Sequence, residues 1–96
     1  MKYRVDWSEA AEGELSAAWF AAGDRNAVAL ASHNLDEALA SDPFHFGKPR
    51  ESSVSRVGFL HPLGVEFYVV EDDKRVVVLG VFSVQSRGSS GVAEPL

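Results

Sequence analysis

The sequence predicts an α+β fold with the element order β-α-α-β-β-β, an antiparallel sheet with a helical hairpin packed on one face. Three observations carry the prediction. "KYRVDW" near the start alternates apolar and polar residues. Between Ser8 and Asp42, apolar residues recur twice at spacings of three and four. The stretch "HPLGVEFYVVEDDKRVVVLGVFSV", His61 to Val84, reads as two strands joined by an acidic turn.

Each element has its own signal. In Lys2–Trp7, Tyr3, Val5 and Trp7 alternate with Lys2, Arg4 and Asp6, a period of two that marks a strand with one buried face. Those three side chains need a surface to cover, so the strand is expected to join the sheet. Ser8 is a good N-cap, and Glu9 and Glu12 suit the positive end of the helix that follows. Ala11, Leu15, Ala18, Trp19 and Ala22 form its apolar stripe, and Gly23 is the expected stop. Asp24 caps a second helix whose stripe is Val28, Ala31, Leu35, Ala38 and Leu39. Pro43 ends it, because the residue before a proline leaves the helical region. The short Gly-Asp link makes the two helices an antiparallel hairpin.

Asp42–Ser53, "DPFHFGKPRESS", is read as a loop from its prolines and glycine. Val54–Leu60 is read as a strand with Gly58 as a candidate bulge. His61-Pro62-Leu63-Gly64 is a turn, and Val65, Phe67 and Val69 alternate along the next strand. Arg75–Val84 is nearly all apolar, which predicts a central strand covered on both faces. Residues 1–84 are therefore expected to form one domain, and the Ser/Gly-rich 85–96 a flexible tail.

Composition narrows the function classes. A chain of 96 residues is single-domain length. It has no cysteine, which removes disulfides and Cys-based chemistry and suits a reducing, cytoplasmic setting. The start has no apolar signal-peptide core, and no window is long and apolar enough for a membrane span. Net charge is −5. Residues 1–42 hold three cations against eight carboxylates, and residues 43–96 six against six, so the acidic excess lies in the helical half. Phosphate contacts dominate nucleic-acid affinity, so such binding would need a local basic cluster, and 45–56 is the one candidate region.

Few residues suggest chemistry. His45 sits in "PFHFGKPR" near Lys48 and Arg50, where an imidazole could bind phosphate or move a proton; the plainer reading has Phe44 and Phe46 anchoring the loop and His45 facing water. His33 reads as a surface residue, and His61 as part of a turn. No metal-ligand spacing, phosphate-binding loop or nucleophile elbow is present, and no cofactor is expected. Arg56 is a charged residue inside a strand, alternating with Gly58 opposite Val57 and Phe59. With Lys48 and Arg50 it would make a cationic ridge that grips phosphate or a carboxylate; the alternative is a solvent-facing arginine or a cross-strand pair with Glu66. Arg75, at the start of the last strand, is a further binding candidate. Glu9, Glu12 and Glu14 form an acidic helix side, ordinarily a solvated face.

The order of motifs resembles the RelE/ParE toxin superfamily of type II toxin–antitoxin systems, often described as plasmid stabilisation proteins. "YRVDWSEAAEGEL" is similar to the family's opening strand and capped helix, "LDEALASDPFHFGKP" to the end of its second helix, and "SRVGFLHPLGVEFYVVEDDKRVVVLGVFSV" to its arginine-bearing strand and final hairpin. The resemblance spans roughly residues 2–84. It implies a small cytosolic bacterial toxin held by an antitoxin whose helix and extended arm wrap it. It also implies one of two activities. Ribosome-dependent ribonucleases of the family use basic residues on the sheet and a histidine or tyrosine near the end of the last strand. Here Arg56 matches the strand arginine, but that strand ends Phe82-Ser83-Val84-Gln85. ParE-like members inhibit DNA gyrase without such a catalytic set. The expectation is a ParE-like toxin that binds a protein target. The alternatives are a ribosome-dependent messenger-RNA endoribonuclease using Arg56, Lys48, Arg50 and His45, and a non-toxic interaction module on the same fold.

Overall fold

Ser8 separates the first strand from the first helix in the computed structural model of the chain, which describes residues 2–49 and 55–84. Strand β1 is Arg4–Trp7 and helix α1 is Glu9–Ala21. The Ser8 hydroxyl accepts the Ala11 amide at 3.0 Å, satisfying one of the donors that a helix start leaves open. The other end of α1 differs from expectation. Gly23 is not a left-handed stop, since no described glycine has a positive φ. Arg25 reaches back instead, donating from Nε to the Trp19 carbonyl and from Nη2 to the Phe20 carbonyl, both at 3.2 Å. A basic side chain thus satisfies the terminal carbonyls and complements the negative helix end.

Helix α2, Arg25–Ser41, starts where the Asp24 carboxylate accepts the Ala27 amide at 3.1 Å. Asp42 then caps a one-turn helix, α3, Pro43–Phe46, by accepting the His45 amide at 3.2 Å. A two-residue strand, β2, Lys48–Pro49, follows. So the first part of the expected loop is ordered: proline at the first helical position and an aspartate cap are enough to close one turn. Arg50, Val54 and the tail 85–96 lie outside the described residues. Strands β3, β4 and β5 are Ser55–Leu60, Leu63–Val70 and Arg75–Ser83.

The sheet order is β1-β5-β4-β3-β2. The C-terminal strands form the expected antiparallel meander. β1 joins beside β5, but in parallel, with Val5 opposite Val76 and Trp7 opposite Val78, so the sheet is mixed. Leu63, Val65, Phe67, Val76, Val78 and Val81 form the buried face, packed against Ala11, Val28, Ala31, Leu35 and Leu39 of the helices. No described polar or charged residue is buried. β5 is interior to the sheet but is covered on one face alone: Leu79 and Phe82 stay exposed. Its apolar run reflects an uncovered outer surface rather than a second helical layer.

Gly58 is not a bulge. The register shift lies between Glu66 and Phe67, where Glu66 pairs with Gly80 and Phe67 with Val78. Gly58 and Gly47 instead leave room for rings: a Cβ at Gly58 would run into Phe46, and one at Gly47 into the buried Phe67. Those contacts fold α3 down onto the sheet edge.

Candidate functional site

Arg56 lies opposite Phe67 in β3, on the helix-facing side of the sheet. Its Nη2 donates to the carbonyls of Phe44 and Gly47, each at 3.0 Å, and its guanidinium sits 5.1 Å from the Phe44 ring centroid. The arginine therefore closes the carbonyl end of α3 and holds that turn on β3. It neither faces open solvent nor pairs with Glu66, which lies opposite Val57 and accepts the Ser55 hydroxyl at 2.9 Å.

Of the cationic ridge read from spacing, Lys48 and Arg56 are described and Arg50 is not. Lys48 is registered opposite Val57 and belongs to the open face, so it and Arg56 lie on opposite faces. His45 is on the outer side of α3, nearly fully exposed, with Nδ1 3.6 Å from the Asp42 carboxylate. An open hollow of about 640 Å³ touches His45, Lys48, Phe44 and Arg56, where the Arg56 Nη2 is turned to two backbone carbonyls and its Nε is buried with no hydrogen-bond partner among the described residues. Arg75 is two strands away, at the start of β5, with Nη1 3.6 Å from Asp6, which also lies 3.5 Å from Arg4. Arg50 is outside the described residues. Among the described residues no cluster of three or more His, Asp or Glu is arranged to hold a metal.

A second polar cluster ties the β4–β5 turn to the first strand. Tyr3 donates its hydroxyl to Glu71 at 2.8 Å, and the Lys74 ammonium lies 2.6 Å from the other Glu71 oxygen and 5.2 Å from the Tyr3 ring. The Lys74 and Tyr3 hydrogen bonds hold the Glu71 carboxyl below its ordinary range. The same carboxylate raises Tyr3 and Lys74, through its hydrogen bond to each. The group is saturated and exposed, and its role is to pin the turn.

What the structure leaves open to partners is aromatic. On the outer face of the sheet, Phe59 and Phe82 meet edge to face with centroids 5.9 Å apart, over Gly64. On the hairpin, Trp19 and Phe20 meet at 5.2 Å, with the Arg25 guanidinium 4.8 Å from the Trp19 centroid. Sequence reasoning placed Trp19 in the buried stripe and passed over Phe20. The signal was the pair itself: adjacent helical residues point about 100° apart, so one stripe does not bury both.

The fold is shared with solved toxins. A chain of the RelBE2 toxin–antitoxin complex of Mycobacterium tuberculosis superposes with a TM-score of 0.72 at 19% identity, covering 86% of this chain and 92% of that one. The isolated Escherichia coli RelE toxin gives 0.63 at 22% identity, with 92% of each chain covered. A chain of the chromosomal ParDE system of Pseudomonas aeruginosa gives 0.67 at 17% identity, over 86% of this chain and 97% of that one. This chain has the RelE/ParE toxin fold. No protein-family model and no curated protein matches its sequence. The last described strand, β5, ends in Phe82 and Ser83 with Val84 following, and carries no histidine or tyrosine there. No helix among the described residues is long and apolar enough to cross a membrane.

Proposed function

We propose that the protein is the toxin component of a type II toxin–antitoxin pair, neutralised by a cognate antitoxin, and that it acts by binding a protein target in the ParE manner, with DNA gyrase the first target to test. One observation carries the choice of binding over cleavage. Among the described residues, the groups that phosphoryl chemistry would draw on border one hollow without pairing with one another: Arg56 gives its Nη2 to two backbone carbonyls, Lys48 is registered on the opposite face of the sheet, His45 stands exposed beside Asp42, and the last described strand ends in Phe82-Ser83. Cleavage of RNA needs a positioned acid or base and cations aimed at the developing charge. In place of these the chain offers exposed aromatic pairs, the side chains that dominate protein interfaces. The likeness to toxin–antitoxin complexes supports the antitoxin partner.

The test is induction of the chain in a bacterial culture, with growth, transcript ends and gyrase supercoiling followed together. The expected result is growth arrest and impaired supercoiling with transcript ends unchanged, and the same arrest from a His45→Ala, Lys48→Ala double variant. New codon-positioned transcript ends that vanish in that variant would establish the ribonuclease instead. Unimpeded growth with folded protein present would move the chain to a non-toxic binding module.

A further inference from the structure

The outer face of the sheet has two unlike ends. Strand register sets Arg4, Arg75 and Val70 side by side at one end, and Phe82, Gly64 and Phe59 at the other. Between them the face is mostly apolar. Val77 and Tyr68 are neighbours across β5 and β4, and Leu79 stands exposed at the register shift. Alternation along β4 and β5 leaves Glu66 and Arg75 as the charges those two strands present on this side. The molecule's acidity is elsewhere. Glu9, Glu12 and Glu14 of α1, with Asp36 and Glu37 of α2, belong to the helical layer behind the sheet, where Arg25 is the lone helix cation.

We infer that the chain pairs with a second copy of itself through this outer face, the two sheets stacked about 10 Å apart and related by a two-fold axis that runs across the strands. The pairing does not depend on the toxin reading.

Three points select this occupant. The first is that the face complements itself. A two-fold across the strands reverses their direction, so β5 lies over β5. Arg75 then meets the Phe82 ring of the second copy, and Val77 meets its Leu79. The arginine end covers the aromatic end, a cation–π arrangement, and does so twice. Glu66 comes opposite Tyr68 of the second copy, whose hydroxyl is a donor. A two-fold along the strands would instead set the arginine rows against each other.

The second point is charge. The chain carries −5 overall, which opposes most ways of bringing two copies together. Stacked on their outer faces, the copies keep their acidic helices on the far sides with both sheets between them. That separation exceeds the screening length of about 8 Å at physiological salt. The third point is area. Four rows about 6.7 Å apart by four strands about 4.8 Å apart make a face of roughly 500 Å². A pair of such faces buries about 1,000 Å², the threshold for a specific interface, so the dimer is weak and concentration-dependent. It would withdraw the Phe59–Phe82 pair from other partners while leaving Trp19 and Phe20 open.

The test is sedimentation velocity of the full chain from about 1 μM to about 1 mM, with circular dichroism confirming the fold of each variant. The wild type is expected to pass from monomer to dimer within that range. Leu79→Glu should raise the midpoint by more than about tenfold, the loss typical of a central contact. Phe82→Lys should weaken the dimer more than Phe82→Glu, because each faces Arg75 of the second copy. The chain has no cysteine, so introduced ones report position. Mixed Val77→Cys and Leu79→Cys chains should cross-link to each other through a short bis-maleimide more than either does alone. Asn34→Cys, exposed on α2, should not cross-link. A chain that stays monomeric throughout leaves the face to a different partner and overturns the inference. So does a dimer indifferent to Leu79→Glu, a reversed order for the two Phe82 variants, or cross-linking through Asn34→Cys. Growth arrest enters none of these readouts, so the dimer and the toxin reading fail separately.

Discussion

Glu14 on α1 accepts the backbone N–H of Val81 at 2.8 Å, so a helix carboxylate fills the donor left open where β5 runs past the end of β1. The contact lies directly after the register shift in the sheet, and a Cβ on Gly80 would come within 3.2 Å of the same carboxylate. It locks α1 to the last strand and blunts an exposed strand edge.

Replacing Glu14 with alanine should therefore cost about 1–2 kcal/mol, the worth of a charge-assisted hydrogen bond discounted for its partial exposure. Glu14→Gln keeps an acceptor and should lose less than half of that. Urea unfolding of the two variants beside the wild type checks the difference. Equal stabilities for Glu14→Ala and wild type would mean that solvent replaces the carboxylate without loss.

Two glycines should respond in opposite directions. Gly47→Ala drives a Cβ into the buried Phe67 ring and should destabilise by about 1–3 kcal/mol through overpacking. Gly13, inside α1, has nothing within 4 Å of its would-be Cβ, so Gly13→Ala should stabilise by about 0.5–1 kcal/mol through helix propensity. Thermal melts of both variants read the signs directly.

Arg56→Ala should act on folding rather than on chemistry. It removes two hydrogen bonds to the carbonyls of Phe44 and Gly47 and should cost about 1.5–3 kcal/mol. Once the protein concentration is corrected to the folded fraction, growth arrest by the variant should match the wild type. A variant that folds fully yet fails to arrest growth would return Arg56 to a functional site.

The Tyr3–Glu71–Lys74 cluster predicts a pH window. The Glu71 carboxyl is held below its ordinary 4.5 in the folded chain, so its contribution is complete above 4.5 and fades as pH falls through the folded value. Lys74 is raised above 10.5, so its contribution is complete below 10.5 and fades as pH rises through the folded value. Tyr3 is raised above its ordinary 10.0 by the same carboxylate, so the stability gap between wild type and Glu71→Gln should be flat from 4.5 to 10.0 and narrow at both ends. A gap that stays constant down through acid pH would show that the three groups do not act together. Because the cluster is exposed, added salt should shrink the gap throughout.

The sequence by itself determined the elements and the buried face. Period two in Tyr3, Val5 and Trp7, and three-four spacing in Val28, Ala31, Leu35 and Leu39, name side chains that do pack into one core, because periodicity follows from backbone geometry alone. The caps at Ser8 and Asp24 were legible for the same reason: each acts within three residues. The tertiary structure alone decided where the cations go. Whether Arg56 meets a phosphate or the Phe44 and Gly47 carbonyls depends on α3 folding back over β3, a contact set by Phe46 against Gly58 and not by any local pattern. The parallel placement of β1 beside β5, and the union of Arg4 with Arg75 and of Phe59 with Phe82 on one outer face, likewise join residues distant in the chain. Local signals fix which side chains share a face. The packing of those faces against one another fixes which of them remain free to meet a partner.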